Sequence, residues 1–103
     1  MAENKYQAGL IKRIKARFPG CVVMKNDPTY IQGIPDLTIL YNDRWATLEV
    51  KDGPDAPSQP NQEHYVRVMN DMSFSAFIYP AIEERVMDEL QRSFASRRKA
   101  RVS

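Results

Sequence analysis

Asp36, closing the run Gly33-Ile34-Pro35-Asp36, and the triplet Glu49-Val50-Lys51 are separated by twelve residues that read as two strands and a tight turn. Leu37-Thr38-Ile39-Leu40-Tyr41 and Trp45-Ala46-Thr47-Leu48 are β-favouring runs, and Asn42-Asp43-Arg44 between them supplies turn chemistry. A symmetric turn centred on Asn42-Asp43 sets Tyr41 against Arg44 and Ile39 against Ala46. Counting outward brings Asp36 opposite Glu49, with Lys51 two residues further along the same face. Opposed side chains in an antiparallel pair stand about 4.5–5.5 Å apart at Cβ, so two carboxylates there repel unless a cation lies between them. A divalent metal is the natural cation, and two acids with a lysine around it have the makings of a hydrolytic site.

The same register separates chemistry from packing. Asp36, Thr38, Glu49 and Lys51 fall on one face of the ribbon, and Leu37, Ile39, Ala46, Leu48 and Val50 fall on the other as core. Upstream, Tyr6, Leu10, Ile11, Ile14 and Phe18 recur at spacings of three and four, which predicts an amphipathic helix over 4–18 that Pro19-Gly20 stops. Residues 21–24 are a short β-rich run, with Cys21 expected as a buried small hydrophobe, and Asn26-Asp27-Pro28 is a turn cluster. Downstream, residues 52–58 form a loop rich in Gly, Pro and Asp, and Ser58 is expected to cap a helix over 59–72. In that helix Gln62, Tyr65, Val66 and Met69 share one stripe. A strand over 74–79 ends at Pro80, and Ile82, Val86, Leu90 and Phe94, spaced by four, predict a last helix over 81–94. The order helix, three-strand antiparallel meander, helix, strand, helix predicts an α/β domain with a mixed central sheet.

At 103 residues the chain has the length of one domain, expected over 1–95, followed by a basic tail over 96–103. No run of about 18 apolar residues could span a membrane, and the polar start is not a signal peptide. A single cysteine fits a reducing, cytoplasmic setting. Net charge is only +2, but residues 1–25 carry six cations against Glu3 alone, and residues 92–103 carry five cations and no acid. Basic ends around an acidic middle suit attraction of a polyanion to the periphery while a carboxylate pocket holds metal. The competing reading is solvated helix faces and a frayed tail. Candidate backbone contacts are Lys12, Lys15, Lys25, Arg97, Arg98 and Lys99.

Ile34-Pro35-Asp36, Glu49-Val50-Lys51 and the Gln62 to Tyr65 spacing on the next helix resemble the PD-(D/E)XK nuclease superfamily, and most of all its VRR-NUC branch. Each pattern is weak alone; their order and shared pairing register make the combination specific. The resemblance implies a restriction-endonuclease-like core in which Asp36, Glu49 and the Val50 carbonyl ligate Mg²⁺ or Mn²⁺. Lys51 would orient or deprotonate the attacking water, and Gln62 would hold a phosphate or the lysine. It also makes Glu3 a candidate fourth metal ligand, against the reading of a first-turn acid favoured by the helix dipole. Tyr65, His64 and Trp45 read as structural or surface residues beside it. The implied reaction is phosphodiester hydrolysis in DNA in a bacterial or phage-infected host cytoplasm. By analogy the substrate is branched DNA such as Holliday junctions, cut by a homodimer. Nicking or exonucleolytic action on linear DNA, a DNA-binding module of the same fold without turnover, and a protein-interaction subunit are the competing functions.

Overall fold

A computed structural model describes residues 2–96, with side chains from residue 4 onward. Helix α1 (Ala2–Arg17) leads into β1 (Val22–Lys25), β2 (Leu37–Tyr41) and β3 (Arg44–Val50). Helix α2 (Pro60–Met72), strand β4 (Phe74–Ile78), a 3₁₀ turn (Pro80–Ile82) and helix α3 (Glu83–Ala95) follow. The strands form one sheet in the order β1-β2-β3-β4; the first three run antiparallel, and β4 lies parallel to β3. A parallel neighbour needs a crossover, and α2 is that crossover. The mixed sheet and the element order expected from the sequence are those observed.

The hairpin register is also as counted, with Tyr41 opposite Arg44, Ile39 opposite Ala46 and Leu37 opposite Leu48. Asn42 takes a left-handed φ of 57°, which an Asn tolerates at the tip of a tight turn better than most residues. On one face of the sheet Leu37, Ile39, Ala46, Leu48 and Val50 are fully buried under Leu10 and Ile14 of α1 and Val86 and Leu90 of α3. Each fully buried Leu or Ile contributes about 1.5–3 kcal/mol of transfer free energy. Phe18, Tyr41 and Phe94 close one end of this core, with ring centroids 5.2–5.4 Å apart. The helices are also tied at their polar edges, where Glu83 accepts from Tyr6 Oη at 2.8 Å and from Arg13 Nε at 2.6 Å.

The opposite face of β3 is covered too. Thr47, Glu49 and Ser75 are buried although polar, because α2 lies over them. The Thr47 hydroxyl donates to Ser75 Oγ at 2.7 Å, so these two hydroxyls satisfy each other. Two local expectations are corrected. The N-cap of α2 is Gln59, not Ser58: the Gln59 N–H donates to Gln62 Oε1 at 3.0 Å, whereas the Ser58 hydroxyl turns to Glu63 Oε2 at 2.7 Å. Cys21 is half-buried at the margin of the core, with partial burial pushing its thiol pKa up.

Candidate functional site

The site forms where the start of β2, the end of β3 and the first turn of α2 meet. Asp36 stands one residue before β2, and its Oδ2 accepts from the Val50 N–H at 2.8 Å. That bond reaches from β3 to the residue just ahead of β2 and pins the carboxylate beside the Glu49-Val50-Lys51 backbone. Glu49 is 3% exposed and Lys51 8%. Their buried charges need compensation. Lys51 Nζ donates to the Pro57 carbonyl and to Gln62 Oε1, both at 2.9 Å, and lies 3.8 Å from Glu49 Oε2. Gln62 Nε2 donates to the same Glu49 oxygen at 3.2 Å. One amide thus bridges the acid and the ammonium, while its oxygen also takes the Gln59 N–H that starts the helix.

The loop before Asp36 is held as firmly. Gly33 has φ +90°, and a Cβ there would come within 2.7 Å of Asn61 Cγ and 2.9 Å of the Asn61 backbone carbon. Only a glycine lets the chain pass so close to the first turn of α2 in that conformation. Asn61 Nδ2 donates to the Gln32 carbonyl at 3.2 Å and closes the contact. On the other side Asn26 clamps the turn: its backbone N–H donates to the Asp36 carbonyl, and its amide donates to the Pro35 carbonyl and Thr38 Oγ1, all at 2.8 Å.

Of the residues singled out in the sequence, Asp36, Glu49, Val50, Lys51 and Gln62 come together. Lys12 and Lys15 are exposed on α1, which packs on the sheet face opposite α2, and Lys25 is exposed at the end of edge strand β1. The side chain of Glu3 and all of Arg97, Arg98 and Lys99 lie outside the described residues. His64 is exposed, and Tyr65 and Trp45 are half-buried. Sequence reasoning missed Asn26 and the Pro57 carbonyl. A lone Asn in a turn cluster and a backbone oxygen in a proline-rich loop carry no signal of what they will face.

Among the described residues no three of His, Cys, Asp and Glu gather into a metal-holding group. The donors present are two carboxylates and a backbone carbonyl. They are hard oxygens, and they fit an ion such as Mg²⁺, which keeps several waters and takes one or two protein carboxylates.

No family model matches the chain, and no curated protein does either. A solved structure described as a VRR_NUC domain protein is similar in fold, with a TM-score of 0.64 over 90% of this chain and 88% of that one, at 12% identity. The VRR-NUC-like fold implied by the Pro-Asp, Glu-x-Lys and Gln-x-x-Tyr patterns is therefore the fold found.

Proposed function

We propose that this chain is a nuclease domain hydrolysing DNA phosphodiester bonds with Mg²⁺ or Mn²⁺, and that its preferred substrate is branched DNA. The observation that carries the reading is the Asp36-Glu49-Lys51-Gln62 constellation, in which two acids and one fixed ammonium surround the backbone of Val50. The likeness in fold to a VRR_NUC domain protein supports it. Asp36, Glu49 and the Val50 carbonyl would hold the ion. When bound, it supplies Lewis acidity toward a phosphoryl oxygen and makes water a better nucleophile near neutral pH. Lys51 is fixed by two acceptors, so its charge is in place before substrate arrives and is set to offset negative charge developing on the phosphate. Gln62 keeps that ammonium and the Glu49 carboxylate at a set separation. The preference for branched DNA, and a homodimer presenting two sites to two strands, rest on analogy with the VRR-NUC branch.

The test is cleavage of a labelled four-way junction beside a matched linear duplex, with Mg²⁺, Mn²⁺ or EDTA. Expected is metal-dependent cutting of the junction ahead of the duplex. Asp36→Asn and Glu49→Gln should each lower turnover by on the order of 10²–10³ with junction affinity largely kept. Equal cutting of both DNAs moves the reading to a nickase or exonuclease on linear DNA. Binding without cutting, unchanged by Asp36→Asn, leaves a DNA-binding module of the same fold.

A further inference from the structure

We propose that the cavity beside the Asp36 turn is a pocket for one unpaired nucleobase of the DNA strand being cut, stacked on Tyr30 and read by the carboxylate of Asp27. This inference rests on the nuclease reading and adds to it a substrate feature, a base out of its stack next to the scissile phosphate. The cavity measures about 380 Å³ and opens between the 26–34 loop and α2, with Ile31, Ile34 and Met69 as its apolar walls. Its floor is Asn26 and Thr38, the pair whose hydrogen bonds hold the Asp36 turn. Pocket and acid therefore share a wall, and a strand laid across Asp36 brings a neighbouring nucleotide to the mouth.

Three features select a base over other occupants. Tyr30 is 85% exposed at the mouth, an unusual place for a large ring with no packing role, and a base face is a natural partner for it. The walls are flat-sided aliphatic and thioether groups, which accept any base. Asp27 contributes an ionised acceptor, with Oδ1 fixed by the Thr29 N–H at 2.8 Å and the Thr29 hydroxyl at 2.6 Å. Those bonds hold its pKa below the ordinary carboxylate range, so it stays charged at neutral pH. A carboxylate repels phosphate but accepts from exocyclic amino groups, as acids do from cytosine N4. It therefore fits a base edge and not a backbone. A base paired inside a duplex cannot enter; one at a fork, flap or junction already has its unstacking supplied.

The experiment uses a forked duplex in which an abasic residue replaces, one at a time, each nucleotide flanking the cut. With the wild-type chain and Mg²⁺, one position should show a fall in kcat/KM of about tenfold when its base is removed, the scale of one base-aromatic stack. In Tyr30→Ala the intact fork should be cut about tenfold more slowly, and the abasic fork at that position no slower than the intact one. Asp27→Asn keeps an oxygen for Thr29, and should reorder the preference among the four bases there. Because Tyr30 is exposed, its truncation leaves the melting temperature unchanged, which a thermal scan checks. If the wild type cuts no DNA, the nuclease reading fails and the pocket is judged by fluorescence anisotropy of the same forks with Ca²⁺. A base-dependent loss there that Tyr30→Ala abolishes supports the pocket. Forks cut or bound alike with and without the base, by wild type and Tyr30→Ala, overturn it and leave the cavity to a protein side chain.

Discussion

Gln62 holds the centre of the site's polar geometry although it carries no charge. Its amide oxygen accepts from Lys51 and from the Gln59 N–H, and its nitrogen donates to Glu49. Gln62→Ala leaves the ammonium one side-chain acceptor fewer and frees it to swing toward Glu49, 3.8 Å away. Small misplacements of a catalytic group cost up to about 10² in rate. Single-turnover cleavage by Gln62→Ala should therefore fall by about 10- to 100-fold while the DNA dissociation constant stays within twofold. An equal loss in affinity and no change in the cleavage step would make Gln62 a phosphate contact instead. Lys51→Ala should abolish turnover, but it also removes the positive neighbour of a carboxylate only 3% exposed. Breaking such a buried pair costs about 3–5 kcal/mol, so denaturant unfolding must accompany the assay and separate lost chemistry from lost fold.

At the scale of elements, the site depends on two docked joints. The first is the seat of Gly33 on Asn61, where φ is +90° and a Cβ would meet backbone at 2.9 Å. Gly33→Ala should cost more than about 1 kcal/mol in urea unfolding, since an L side chain is strained there whatever the space. It should also displace the Asp36 turn, so turnover falls further than stability alone accounts for. The second joint ties α1 to α3 through Glu83. Burial raises the Glu83 pKa, but hydrogen bonds from Arg13 and Tyr6 outweigh it and hold the carboxyl below its ordinary value. A lowered carboxyl stabilises the fold above the unfolded-state pKa, about 4.3, and that contribution is lost as pH falls through the folded-state pKa. Thermal melts of wild type and Glu83→Gln should differ at pH 7 and converge as pH drops below 4. These joints also show where sequence stops being informative. The 41–44 turn, the hairpin register from Tyr41-Arg44 to Leu37-Leu48 and the Leu37/Ile39/Leu48 core face could be read because period-two alternation and an Asn-Asp turn are local signals. That α2 would cover Thr47 and Glu49, or that Asn26 would clamp Pro35 and Thr38 from nine and twelve residues away in sequence, could not, because those contacts are made only once separate elements dock. Ser58 and Gln59 lie side by side, and the choice of cap was decided by whether Gln62 could reach back.

For the whole molecule, the layering places a polar, carboxylate-bearing layer under α2 and the oily core under α1 and α3, so the catalytic candidates open on one side of the sheet. The exposed lysines of α1 lie on the other side. Arg97, Arg98, Lys99 and Arg101 add four more cations in the sequence after the described residues. Every phosphate neutralised contributes about 0.9 to the slope of log K against log salt. Ending the chain after Ser96 should therefore weaken junction binding at low salt and flatten that slope by up to about 3–4. The single-turnover cleavage rate at saturating protein should stay the same, because Asp36, Glu49, Lys51 and Gln62 are untouched. Titrations from 50 to 300 mM NaCl on the full chain and the shortened one check this. An unchanged slope would show the tail to be a solvated end, and would leave attraction of the polyanion to the lysines of α1 and to Lys25.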